Sequence, residues 1–144
     1  MNLSAHFTLE EFTVSDTAER LGIDNSPTAM VMGELQRLAD FMEIVRDLLE
    51  VPIVIKSGYR CPRLNTAVKG AVRSDHLVGR ACDFIAPRFG SPYEVARTIE
   101  AAGLQYGQLI HEFGRWVHIS IPPQGQRAQR EELSYFVAGR VIPG

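Results

Sequence analysis

The chain has 144 residues, 45% of them apolar, enough for one compact domain and too few for two of ordinary size. Its 15 Lys and Arg stand against 17 Asp and Glu with neither sign in blocks, which argues against a polyanion-binding surface, so no nucleic-acid partner is expected. The opening MNLSAHFTLEEF lacks a basic segment followed by an apolar one, and no apolar run approaches the roughly 18 residues of a membrane span; a monomer made in the cytoplasm without a signal peptide, and with no membrane partner, is the expectation.

In chain order, Thr8-Leu9-Glu10-Glu11 reads as a capping box opening a short helix. Pro27 is expected at the first position of a long amphipathic helix that places Met30, Val31, Leu35, Leu38, Met42, Val45 and Leu49 on one broad face. Pro52 to Lys56 reads as a short β-branched strand. The stretch from Cys61 to Arg80 is rich in Gly, Pro, Asn and Arg, and reads as an ordered loop with one short helix near Arg63 to Val68. Cys82 to Ala86 is a second strand, and Ser91-Pro92-Tyr93-Glu94 a second capping box, opening a helix that Gly103 closes. Gln108 to Phe113 and Trp116 to Ile121 then form a hairpin, and Leu133 to Val141 adds an edge strand. The pattern is α+β: an antiparallel sheet with helices packed on one side. Cys61 and Cys82 are too few for a disulfide scaffold and lack C-x-x-C spacing, so free thiols are expected.

Three residues stand out on this frame. His76 and Asp83 lie seven apart in SDHLVGRACD, and His118 lies in the strand WVHIS. Alternation puts Asp83 opposite Cys82 and Phe84, and puts His118 on one face with Trp116 and Ser120. Gly79 lets the preceding loop turn tightly enough to bring His76 beside the carboxylate. A His, Asp, His set suits zinc and leaves a fourth tetrahedral position for water. Spacing alone leaves a second reading open, in which both histidines are half-buried polar residues and Asp83 is a strand-end carboxylate.

SDHLVGRACD fits S-x-H-x-x-G-x-A-x-D at every fixed position, WVHIS fits a later ligand-bearing strand, and SGYRCPRLN from Ser57 fits an upstream S-x-Y-R-x-x-x-L-N segment. In this order they resemble the zinc D-Ala-D-Ala carboxypeptidases often found as phage endolysins, in the larger group that holds lysostaphin-type peptidases and the hedgehog signalling domain. The resemblance spans about residues 5 to 121 and implies one zinc peptidase domain, hedgehog/DD-peptidase-like in fold, over residues 1–144. It implies one Zn2+ per chain on His76, Asp83 and His118. It also implies bacterial peptidoglycan stem peptides as partners, and action on the cell wall after release from the bacterial cytoplasm or as part of a virion. An L-Ala-D-Glu endopeptidase and a non-catalytic zinc-holding wall-binding module are the alternatives.

The same resemblance implies that Arg60 sits beside the metal, pairing with a peptide carboxylate or stabilising an oxyanion. Arg60, Ser74 and Trp116 are the expected substrate-binding side chains, and Ser74 and Ser120 read as hydrogen-bonding hydroxyls rather than nucleophiles. One departure matters. Several relatives carry the catalytic carboxylate three residues before the last histidine, where this chain has Arg115. Glu112 is then the expected general base, because a three-residue Phe113-Gly114-Arg115 loop would pair it with Trp116 and turn it to the His118 face. Asp75 is the runner-up, and His111 is expected on the opposite face in a structural role.

Overall fold

Thr8 and Glu11 do form the expected capping box: the Glu11 amide donates to Thr8 Oγ1 at 3.2 Å and the Thr8 amide to Glu11 Oε1 at 2.9 Å. They start helix α1, Leu9–Thr13. The structure, a computed structural model, describes the backbone of residues 1–137 and 140–143 and the side chains of residues 1–132. A second short helix, α2 (Asp16–Leu21), follows between a Ser15 cap and Gly22; its only buried residue is Ala18, so no apolar period announces it.

Helix α3 spans Ala29–Leu49 and begins two residues later than its proline suggested. Thr28 is the cap, its hydroxyl accepting from the Val31 amide at 3.3 Å, and Pro27 lies outside the helix. Val31, Leu35, Leu38, Ala39, Met42, Val45 and Leu49 form the buried stripe, whereas Met30, expected on it, is 81% exposed. Met30 precedes Val31 by one residue, about 100° round the helix, and so falls off a stripe spaced three and four apart. Full burial of each larger stripe residue stabilises by about 1.5–3 kcal/mol, which makes α3 the main core helix.

The remaining elements are β1 (Val54–Ser57), α4 (Pro62–Ala67), a 3-10 turn (Asp75–Val78), β2 (Ala81–Ile85), α5 (Pro92–Ala101), β3 (Gln108–Glu112), β4 (Trp116–Ser120), β5 (Glu131–Val137) and β6 (Arg140–Pro143). The strands form one sheet in the order β1-β2-β4-β3-β5-β6. It is antiparallel at every pairing but one, since β5 runs parallel to β3. The stretch expected as a single edge strand, Leu133 to Val141, is therefore two strands, with residues 138 and 139 outside those described. β5 lies inside the sheet, whose two edge strands are β6 and β1.

Period-two alternation gives the sheet two different faces. Cys82, Phe84, Leu109, Val117 and Ile119 point into a core shared with α1, α3 and α5. Asp83, Ile110, Glu112, Trp116 and His118 point the other way, into a cleft bordered by the 68–75 segment. Both cysteines are free, Cys82 fully buried, its thiol pushed well up by burial and by the Asp83 charge. Among the described residues no helix is long and apolar enough to cross a membrane.

Candidate metal centre

Strand register puts two of the expected ligands side by side. Asp83 on β2 pairs directly with His118 on β4, so their side chains rise from adjacent points of a rigid ladder on one face. His118 Nδ1 lies 3.0 Å from Asp83 Oδ1. His76 arrives from the 3-10 turn, whose first residues are held by Ser74: its Oγ accepts from the His76 amide at 3.1 Å. Gly79 ends that turn with φ of +79°, as its place in the sequence required. The two imidazole rings stand 5.1 Å apart, and the three donor atoms lie within 4.8 Å of one another.

His76 shows why these residues fit a metal. Its Nδ1 donates to the Gly58 carbonyl at 2.6 Å, which fixes the ring and turns Nε2 inward. Nε2 is buried and without a hydrogen bond, although it lies 3.3 Å from Asp83 Oδ1. A lone pair and a carboxylate oxygen at that separation repel unless a proton or a metal ion stands between them. Burial, the largest influence on Asp83, pushes its carboxyl up, but the hydrogen bond with His118 and the closeness of the His118 and His76 imidazoles hold it well below the usual carboxylate range. Two nitrogens and an ionised oxygen, opening on one side to solvent, match zinc in ligand type and number.

The donors sit in a cleft of about 560 Å³. Arg60 lines it, and its backbone amide donates to the His76 carbonyl at 3.0 Å. Burial lowers the pKa of the Arg60 guanidinium, opposed by the charges of Asp83 and Glu112. Its Nε is buried without a hydrogen bond, and the guanidinium makes no ion pair among the described residues. Glu112 lines the opposite wall and pairs with Trp116 across the three-residue loop. The Trp116 indole N–H donates to Glu112 Oε2, so the residue expected to bind substrate also holds the candidate base. Phe113, in the loop, has φ of +56°, and its ring meets Trp116 edge-on at 6.5 Å.

Asp75 borders the same cleft, but its carboxylate is turned towards Arg80 Nε at 3.8 Å. His111 is on the helix face, buried, with its ring against Tyr93 of α5 at 5.6 Å; burial lowers its pKa. Ser120 is buried and accepts from the Gln108 amide at 2.8 Å, a strand contact rather than a place for substrate. The Gly58 carbonyl escaped sequence reasoning, as did Lys69 and Arg73 on the cleft wall. No residue spacing marks a carbonyl that meets a histidine 18 positions away.

Three protein donors, a side open to a cleft, and an unpaired cation beside them are the parts of a hydrolytic metal centre. Residues 5–120 match the family described as Peptidase M15, well over half of the chain, and the chain belongs to that family. It is a family of zinc-dependent metallopeptidases acting on peptidoglycan-type substrates. No curated protein sequence gives a match to the chain.

Proposed function

We propose that the chain hydrolyses a D-Ala-containing peptide bond of peptidoglycan stem peptides, in the manner of a D-Ala-D-Ala carboxypeptidase, as a phage endolysin would. The observation that carries the reading is the unpaired, half-buried Arg60 guanidinium in one cleft with His76, Asp83, His118 and Glu112. His76, Asp83 and His118 would hold the zinc, which supplies Lewis acidity and lets water act as a nucleophile near neutral pH. Arg60 binds the terminal carboxylate, for which a planar guanidinium offers two parallel N–H donors. Beside it Tyr59, Leu64, Val68 and Trp116 help to wall a recess of about 290 Å³ that suits a small alkyl side chain.

Glu112 accepts the proton released as water adds to the scissile carbonyl carbon, and returns it to the amine nitrogen as the C–N bond breaks. The Trp116 N–H holds that carboxylate in place. Ser74, by capping the 3-10 turn, orients His76.

Incubation of the zinc-loaded protein with purified peptidoglycan, followed by mass spectrometry of the soluble products, tests the reading. Free D-Ala is expected, and is expected to disappear when a chelator is present. Fragments ending between L-Ala and D-Glu would move the activity to that endopeptidase bond. No released fragment from a fully zinc-loaded sample would reject peptidase activity in favour of a binding module.

A further inference from the structure

One wall of the cleft is more basic than a single terminal carboxylate requires. Besides Arg60, it carries Lys69 and Arg73, both exposed. Neither makes an ion pair among the described residues. Their loop runs directly against Arg60: a methyl group at Gly70 would stand 2.7 Å from Arg60 Nη1 and 2.0 Å from Asn65 Oδ1. The backbone at Gly70, next to Lys69 in the chain, therefore lies against the guanidinium.

The loop is held in that place from below. The Gly70 amide donates to the Asn65 carbonyl at 2.8 Å, and Asn65 Nδ2, on a buried side chain, donates to the Ala71 carbonyl at 2.9 Å. Lys69 has φ of +58°, a conformation that an L side chain keeps only where its surroundings enforce it. Arg73 immediately precedes Ser74, the residue that caps the His76 turn.

The acidic side chains of the cleft are already engaged. Asp83 is held by the two histidines, Asp75 faces Arg80, and Glu112 accepts from Trp116. Two cations thus remain on this wall with no ion-pair partner among the described residues. We propose that Lys69 and Arg73 form a second carboxylate subsite. It selects stem peptides that carry a free carboxylate besides the terminal one, over stems in which that group is amidated. The inference rests on the peptidase reading, since it extends the same site.

Two synthetic stem pentapeptides, identical except that the non-terminal carboxylate is free in one and amidated in the other, test it on the zinc-loaded full chain. Trp116 is the only tryptophan and lies in the cleft wall, so its fluorescence within seconds of mixing reports binding separately from turnover. The free-carboxylate peptide is expected to bind about twofold to thirtyfold tighter, the range for two solvent-exposed charge pairs, with the preference shrinking as salt is raised. Lys69→Asn, which keeps a residue tolerant of positive φ, combined with Arg73→Gln should bring the two affinities together. Equal affinities in the unaltered protein, or a preference that survives the double substitution, would overturn the subsite. Fragments analysed in the same samples separate the two readings: a preference without cleavage leaves the subsite and removes the peptidase, whereas cleavage without preference does the reverse.

Discussion

Glu112 stands on β3 while the candidate metal donors stand on β2, β4 and the 3-10 turn, so its charge can be removed without touching any of them. Glu112→Gln keeps the side-chain volume and still accepts from the Trp116 indole. Turnover of a stem peptide should fall by about 100-fold to 10,000-fold while zinc content stays at one per chain. Retained turnover together with loss on Asp75→Asn would transfer the proton to Asp75. Gly58 offers a different kind of test, because a methyl group there would lie 2.4 Å from the Phe12 carbonyl oxygen. Gly58→Ala must shift the backbone whose carbonyl holds His76, and loss of such an orienting contact costs about 10-fold to 100-fold in metal affinity. A zinc titration against a chromophoric chelator measures it, and an unchanged affinity would free His76 from that carbonyl. At this scale the sequence disclosed that His76, Asp83 and His118 would meet, since strand alternation and one short loop bring them together, while the three-motif resemblance, not their spacing, supplied the metal reading. The sequence did not disclose Gly58, because backbone carbonyls carry no residue signature.

Among the elements, the approach of the N-terminal segment to α3 carries a pH dependence. Glu43 on α3 accepts from Ser4 Oγ at 2.6 Å and from the His6 amide at 2.7 Å, and its other oxygen meets His6 Nδ1 at 2.7 Å. Burial, the largest influence, raises its pKa, but the hydrogen bonds from Ser4 and His6 outweigh it and leave the carboxyl below its ordinary value. A carboxylate depressed on folding adds stability that is fully present above its unfolded pKa of about 4.3 and is lost as pH falls through the folded value. Glu43→Gln should therefore lower Tm at pH 7, and the gap to the unaltered protein should close as the pH is taken down to about 3. A gap of constant width would mean that the carboxylate charge plays no part. Of the elements themselves, α3 and the β3–β4 hairpin were legible because long amphipathic periods and loop lengths are local properties. Helix α2 was not, because it buries one alanine, although Ser15 and Gly22 mark its ends. The parallel pairing of β5 with β3 was not legible either, since the choice of neighbour in a sheet is made by distant chain.

At the scale of the whole molecule, the donors come from residues 76, 83 and 118, which meet only when the central strands have paired. Metal held by that arrangement adds its binding free energy to folding. Free zinc at 100 times its dissociation constant adds about 2.7 kcal/mol, several degrees of Tm for a chain of this length. Chelation should lower Tm by that amount, and His118→Ala should abolish both the shift and the bound zinc. A zinc-dependent shift that persists in His118→Ala would place the metal elsewhere.

The parallel strand β5 has a consequence for how the protein is made. β3 gains β4 through a tight hairpin, but its other edge is covered only when residues 131–137 arrive, after the 121–130 connection that Arg130 fastens to the carbonyls of Glu100 and Leu104. Until β5 docks, the strand bearing Glu112 therefore has one flank bare. A bare flank is a template for any other strand, including that of a neighbouring nascent chain. While β5 is undocked that flank is where another unfolded chain can add a strand, so any change that loosens the 121–130 connection exposes the very strand that carries Glu112.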